Sequence, residues 1–102
     1  MNLFEYDIPE KDRELFTTLL TKEGVTIKRI VSNTLSTPQT FKQKCDEWVC
    51  VLQGYAQLQM NDTIYTLADG DTLFIPANTE HTLLKTKKVV VWLAVYIEER
   101  EV

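Results

Sequence analysis

The stretch from Asp46 to His81 consists of short apolar segments separated by residues that favour turns. Glycines, a proline and the pair Asn61-Asp62 interrupt the apolar pattern at intervals of a strand length. Several short strands with turn signals between them are typical of an all-β sandwich or barrel. We therefore predict an all-β fold, with a β-barrel over residues 25–97.

Residues 1–24 show a different periodicity. Four apolar residues in this segment are spaced as on one face of a helix: Leu15, Phe16, Leu19 and Leu20. Pro9 suits the first turn of a helix and Gly24 suits the position after its end. The pattern predicts one short N-terminal α-helix that packs across the outside of the barrel. The remaining residues, 98–102, are expected to form a tail, so that residues 1–102 make a single domain.

The composition argues against two classes of partner. A chain of 102 residues that is 44% hydrophobic can bury one small core. Its net charge of −4 leaves it without the basic surface of a nucleic-acid-binding protein. Its longest apolar run, 89–97, is about half the length that a membrane-spanning helix needs. We expect neither nucleic acid nor a membrane as a partner.

Two cysteines bear on the compartment. Cys45 and Cys50 are five residues apart, which on a strand places them on opposite faces and too far apart for an easy disulfide bond. Free thiols are typical of a reducing compartment. The first residues are acidic and amphipathic, and they lack the basic start and apolar core of a secretion signal. A cytoplasmic protein is therefore predicted.

Five residues in this stretch resemble the two sequence motifs of the cupin family: Glu47, Gly54, Gly70, Pro76 and His81. The first cupin motif has an H-x-H pair before its glutamate and glycine, and Phe41 and Gln43 stand at those histidine positions. In the second motif Asn78 replaces a glycine and Lys85 replaces an asparagine. The resemblance implies a double-stranded β-helix, which is the jelly-roll or cupin barrel.

The resemblance also implies a site inside the barrel. The three histidines and one glutamate that hold a metal in cupins are reduced here to Glu47 and His81, with Gln43 as a candidate third ligand. Cys45 is a weaker candidate for a soft metal. The ion implied is a divalent transition metal (Zn, Ni, Mn or Fe). The alternative is a buried, hydrogen-bonded ion pair between Glu47 and His81 without a metal. No nucleotide cofactor is implied.

Strand alternation assigns the surroundings of Glu47. Residues 41–52 are expected to form one strand. If Glu47 points inward, the residues that share its face are Phe41, Gln43, Cys45, Val49 and Val51. Of these, Phe41, Val49 and Val51 would line the pocket. The opposite face of this strand is also apolar, as are both faces of 89–97. A strand that is apolar on both sides must be covered on both sides, so we predict a homodimer with barrel faces packed together.

Three classes of function remain open. The first is a metal-dependent enzyme that acts on a small polar molecule, with Glu47 as a candidate acid or base. The second is a metal-free barrel in which Glu47, His81 and Gln43 bind a small anion or sugar. The third is a structural dimerisation module. The fold alone does not choose between them, because this barrel hosts isomerases, dioxygenases, epimerases and proteins without activity.

Overall fold

Seven antiparallel strands and no helix make up the computed structural model, which describes residues 1–98. The strands are β1 (Glu14–Lys22), β2 (Val25–Ser32), β3 (Gln39–Phe41), β4 (Asp46–Met60), β5 (Thr63–Ala68), β6 (Thr72–Ile75) and β7 (His81–Ile97). Hydrogen bonds join them in the order β1-β2-β7-β4-β5, with β3 paired to β7 and β6 paired to β4. The fold is the all-β jelly roll that the sequence predicts.

Two long strands, β4 and β7, form the centre of this sheet. They pair along almost their whole length, from Asp46 opposite Ile97 to Met60 opposite His81. The register shifts near the middle of β4, around Gly54, where the strand bends. The bend turns one face of the sheet inward, and the apolar residues on that face form the core, among them Val49, Val51, Leu58, Ile75, Leu83, Val90, Trp92 and Ala94.

The predicted N-terminal helix is wrong. Residues 14–22 form strand β1, which pairs with β2 through a tight turn at Glu23 and Gly24, both with positive φ. The apolar spacing in this segment fits a helix, but its three threonines, 17, 18 and 21, are β-branched and favour a strand. A register shift between Thr18 and Leu20 accounts for the helix-like spacing, because a bulge changes which residues share a face.

The predicted single strand over residues 41–52 is also wrong, because it is divided. Phe41 ends β3, which pairs with the beginning of β7, and Asp46 begins β4, which pairs with the end of β7. The chain must cross between these two ladders over residues 42–45. Strand alternation therefore does not extend from Glu47 back to Cys45.

The segment before β1 lies against the outer face of the sheet, where the sequence analysis places a helix. Arg29 on β2 is buried and holds the segment there through hydrogen bonds from its guanidinium. Its Nη1 donates to the carbonyl oxygens of Asn2, Leu3 and Glu5 at 3.5, 3.4 and 3.0 Å, and its Nη2 donates to Thr17 Oγ1 at 3.3 Å. The N-terminal segment, held by Arg29, thus covers the part of the outer face where a helix is predicted.

Two other expectations concern the cysteines and the termini. Cys45 and Cys50 are both free thiols. Of the predicted tail, 98–102, only Glu98 is among the described residues, and its amide donates to the Gly24 carbonyl oxygen at 2.8 Å. Within residues 1–98 there is no helix of the length and hydropathy needed to cross a membrane.

Candidate functional site

A cavity of about 80 Å³ lies inside the barrel between the two layers of strands. Most of its wall is apolar or aromatic, and its polar side chains gather on one side. The residues that line it are Glu14, Phe16, Ile30, Phe41, Gln43, Glu47, Val49, Leu58, Ile75, His81, Leu83, Trp92 and Tyr96. A concave, largely apolar site with a few convergent polar groups is the usual form of a ligand site.

Glu47 is the second residue of β4 and is held between two neighbouring strands. Its Cα partners are Ile75 on β6 and Tyr96 on β7, so the backbone around it is hydrogen-bonded on both sides. The residue is 5% exposed. A rigid, buried backbone fixes the direction of the carboxylate toward the cavity.

His81 is the first residue of β7 and lies between Phe41 on β3 and Met60 on β4. Its Nδ1 lies 3.0 Å from the carbonyl oxygen of Thr79. A carbonyl oxygen only accepts, so Nδ1 carries the hydrogen and, in the neutral ring, Nε2 presents a lone pair. The ring stacks on Phe41 with centroids 5.8 Å apart.

Glu47 and His81 face each other at a distance too long for a hydrogen bond. His81 Nε2 lies 3.9 Å from Glu47 Oε1. Glu47 Oε1 is fully buried and has no hydrogen-bond partner, and the same is true of Gln43 Oε1. Buried polar atoms are normally satisfied, and leaving one without a partner costs about 1–3 kcal/mol. The gap between Glu47 and His81 therefore suits a bound group better than a direct bond.

Burial controls the protonation of this site. Loss of solvent raises the pKa of Glu47, while the nearby His81 and hydrogen bonds with Tyr96 and Gln43 act in the opposite direction. Burial also raises the pKa of the Tyr96 hydroxyl, and the adjacent Glu47 carboxylate adds to that effect. Tyr96 therefore stays protonated and donates to Glu47, which leaves the other carboxylate oxygen for a ligand.

The loop before β7 brings His81 and Gln43 together. The amide of Asn78 donates to the Gln43 carbonyl oxygen at 2.7 Å, and the amide of Ala77 donates to Asp46 Oδ1 at 2.8 Å. These bonds tie the residues after Pro76 to the connection that carries Gln43. Gln43 thus reaches the cavity from the loop between β3 and β4, and not from the single strand predicted over residues 41–52.

The structure distributes the other sequence-predicted residues differently. Phe41 and Val49 line the cavity, whereas Val51 is buried in the core and does not. Cys45 lines an open groove outside the cavity instead, which we call the outer groove. Burial raises the pKa of its thiol, and neighbouring carboxylates act in the same direction, which disfavours the thiolate that a metal would need.

Three lining residues that carry polar groups are missing from the sequence-based set: Glu14, Tyr96 and Trp92. Glu14 Oε2 accepts a hydrogen bond from the Ser32 hydroxyl at 2.6 Å, and Ser32 Oγ accepts one from Trp92 Nε1 at 3.2 Å. The helix prediction concealed Glu14, because only a strand at 14–22 turns Glu14 and Phe16 toward the same side. Alternation along 89–97 puts Trp92 and Tyr96 on one face, but nothing in the sequence shows that this face is the inner one.

The donor set falls short of the metal site that the motifs imply. Within residues 1–98 no cluster of three histidine, cysteine, aspartate or glutamate side chains could hold a metal ion. Catalytic zinc sites use three protein ligands, and the iron site of oxygenases uses two histidines with one carboxylate. Glu47 and His81 provide two ligands, and Gln43 could add only a neutral amide oxygen. The described residues do not complete such a site.

Comparisons with known proteins agree on the fold. The family described as "Cupin domain" matches residues 29–96. A protein of Ralstonia eutropha JMP134 described as a "putative mannose-6-phosphate isomerase" is 33% identical, with 97% of each chain covered and a TM-score of 0.84. A comparison with curated proteins gives no match.

Two more distant structures show the fold alone. The cupin domain of Cnp3 from Schizosaccharomyces pombe is 13% identical over 96% of this chain and 68% of that one, with a TM-score of 0.81. A cupin superfamily protein of Desulfitobacterium hafniense DCB-2 is 19% identical over 89% and 83% of the two chains, with a TM-score of 0.73.

Proposed function

Because the chain belongs to the cupin family, we propose that its barrel binds a small polar ligand in the interior, between Glu47 and His81. One observation carries the proposal: a carboxylate oxygen of Glu47 is buried without a hydrogen-bond partner and faces an imidazole nitrogen 3.9 Å away. The alternative without a ligand, a direct hydrogen bond between Glu47 and His81, requires a shorter distance between Glu47 Oε1 and His81 Nε2. A ligand that donates to Glu47 Oε1 offsets the cost of burying it.

The two tryptophans of the chain offer a direct test. Trp92 lines the cavity, whereas Trp48 lies on β4 next to inward-facing Glu47 and therefore points to the outer face. In an NMR titration with small alcohols, amines, carboxylates and sugars, at least one class is expected to shift the Trp92 indole signal and leave that of Trp48 in place. The shift is expected to disappear in His81→Ala. If no class moves the Trp92 signal, the proposal fails.

A divalent metal is the second candidate. The orientation of His81 favours it, because histidines that bind metals usually donate their other ring nitrogen to a carbonyl or carboxylate, as Nδ1 does to Thr79. The count of ligands opposes it. Elemental analysis of protein purified without chelator or histidine tag decides the point: one metal per chain that is lost in both Glu47→Gln and His81→Ala supports a metal site, and a metal-free parent protein excludes it.

A homodimer is part of the proposal. Five apolar residues stand in register on the outer side of five neighbouring strands: Leu20, Ile27, Val95, Trp48 and Phe74. Leu20 is 50% exposed and Phe74 is 49% exposed. A contiguous apolar row of this kind is unusual on the surface of a monomer and suits a second copy of the same sheet.

Light scattering tests the dimer. The wild-type chain is expected to have twice its 11.8 kDa mass, and Phe74→Lys is expected to give monomers because it places a charge in the apolar row. Ile64→Lys is the matched control, because Ile64 is 56% exposed and lies on β5, outside the row. A wild-type mass of 11.8 kDa would refute the dimer.

The compartment and the class of activity are proposals of the same kind. Two free thiols support a reducing, cytoplasmic location. An isomerase activity finds support in the description of the Ralstonia eutropha protein, and Glu47 is then the candidate to accept or return a proton, because burial raises its pKa above the ordinary value of 4.5.

A further inference from the structure

We infer that the ligand of this cavity is a small organic cation, such as a primary alkylammonium ion, held between the carboxylate of Glu47 and the aromatic wall. The inference rests on the proposed function, since it requires that the cavity takes a ligand. It narrows the proposed ligands to positively charged molecules. Three independent features of the cavity support it: its charge, its aromatic wall and its size.

The side chains that line the cavity carry negative charge. Two of them are carboxylates, Glu14 and Glu47, and neither a lysine nor an arginine is among the described lining residues. His81 is the only lining group that can become positive, and its Nε2 presents a lone pair in the neutral form. Burial is the main cause that raises the pKa of Glu47 and of Tyr96, and the negative charge of Glu14 adds to it in both. An ammonium group would relieve this repulsion, whereas an anion would add to it.

The aromatic wall suits the same ligand. Four aromatic side chains line the cavity: Phe16, Phe41, Trp92 and Tyr96. Aromatic faces attract cations that lie within about 6 Å of the ring centre. Two of these rings already attract a cation, because the Lys28 ammonium lies 5.8 Å from the centre of Phe16 and 5.3 Å from that of Tyr96.

The mouth of the cavity is also defined. Phe16, Gln43 and Tyr96 line both the cavity and the outer groove, so they form the wall between the two. Phe16 is 55% exposed and can admit a ligand. A ligand that enters here passes Phe16 and Tyr96 beside the Lys28 ammonium and then reaches Glu47 Oε1, an acceptor without a partner.

Size and charge together disfavour a sugar phosphate in the interior. The cavity of about 80 Å³ is well below the roughly 300–1,000 Å³ of pockets that take drug-sized ligands. A phosphate dianion would lie against Glu14 and Glu47 without an arginine or lysine among the described lining residues. The interior thus differs from what the name of the Ralstonia eutropha protein would suggest.

A series of three probes of equal length tests the charge class: propylammonium, 1-propanol and propionate, with mannose 6-phosphate as a fourth. The readout is the indole signal of Trp92, with Trp48 as the internal reference. Propylammonium is expected to bind at least tenfold more tightly than 1-propanol, and propionate more weakly than either. Glu47→Gln is expected to lower the affinity for propylammonium about tenfold and to leave that for 1-propanol within about twofold.

Glu98→Gln is the matched control. Glu98 lines the outer groove, so this change removes the same charge from the protein without touching the cavity, and the affinity for propylammonium is expected to stay within about twofold. Should Glu47→Gln fail to fold, the wild-type pH profile replaces it. Affinity for propylammonium is then expected to rise with pH as Glu47, whose pKa is raised by burial, loses its proton, while Tyr96 stays protonated.

The outcomes separate the two proposals. If 1-propanol, propionate or mannose 6-phosphate shifts Trp92 and binds as tightly as propylammonium or more tightly, the cavity is a ligand site but the cation inference is wrong. A pH-independent affinity for propylammonium also overturns it. If none of the four probes shifts Trp92, the cation inference fails, and the wider NMR titration with alcohols, amines, carboxylates and sugars decides whether the proposed function fails with it.

Discussion

Replacing Gly54 with alanine is expected to lower the free energy of unfolding by about 3 kcal/mol or more, which is enough to unfold a marginally stable domain. Gly54 has a φ of +118°, a conformation that costs an L-residue about 1–3 kcal/mol. A Cβ there would lie 2.9 Å from the Val89 carbonyl oxygen and 3.0 Å from Val90 Cα. Both atoms belong to the backbone of β7, which is held in the ladder with β4 and cannot move aside cheaply.

Gly70→Ala is the control that separates strain from collision. Gly70 also has a positive φ, +85°, but nothing lies within 4 Å of the Cβ that alanine would add. Its replacement is expected to cost only the backbone strain, about 1–2 kcal/mol. Urea unfolding of the two variants measures the difference. Equal losses would show that the close approach of β4 and β7 at Gly54 is not a constraint.

Replacing Glu47 with glutamine is expected to stabilise the ligand-free protein at neutral pH by about 1–2 kcal/mol, because it removes a buried charge with an unsatisfied oxygen. The same change is expected to weaken the binding of the proposed ligand. For a domain of this size a gain of 1 kcal/mol raises the melting temperature by about 4–8 °C. The residue that we propose to bind the ligand is thus expected to reduce the stability of the empty barrel.

The buried carboxylate of Glu47 should also make the free energy of unfolding depend on pH. Burial raises the pKa of Glu47 in the folded protein above its ordinary value of 4.5, so the folded state binds the proton more tightly than the unfolded state. Its stabilising contribution is complete below the unfolded pKa and is lost as the pH rises through the folded pKa. Wild-type stability from urea unfolding between about pH 5 and pH 8 is expected to fall relative to that of Glu47→Gln.

Glu98→Gln again serves as the comparison. Glu98 is exposed, so its replacement should leave the pH profile of stability parallel to that of the wild type. A Glu47→Gln variant that is less stable than the wild type at neutral pH would contradict the reasoning. It would mean that the ionised carboxylate is stabilised by an imidazolium at His81 more than it is penalised by burial.

Much of the fold was readable from the sequence because glycines, a proline and Asn61-Asp62 mark the turns of the barrel. Asn61 and Asp62 both have positive φ and form the predicted two-residue turn between β4 and β5. The N-terminal segment was not readable in the same way. The apolar spacing in β1 fits a helix as well as a bulged strand, and only the partner strand β2, which is known from the tertiary structure, decides between them.

The sequence predicts the site residues that belong to a motif. It does not predict those that reach the cavity only through contacts between distant strands. Glu47 and His81 come from the motif, and the structure brings their side chains within 3.9 Å. Glu14 and Tyr96 reach the cavity through the pairing of β1 with β2 and of β7 with β4, which no local pattern in the sequence specifies. Cys45 was assigned to the site by extending strand alternation across a loop.

The position of β1 at the edge of the sheet has a consequence for how a ligand enters. Among the described strands, β1 is hydrogen-bonded only to β2, yet it contributes Glu14 and Phe16 to the cavity wall. Edge strands open at a lower free energy than central ones. We therefore expect local fraying of β1 to expose the interior without disturbing the β4–β7 ladder, and we expect the proposed ligand to hold the edge closed where it touches Glu14 or Phe16. Access to the barrel and the local stability of its outermost strand would then be one equilibrium.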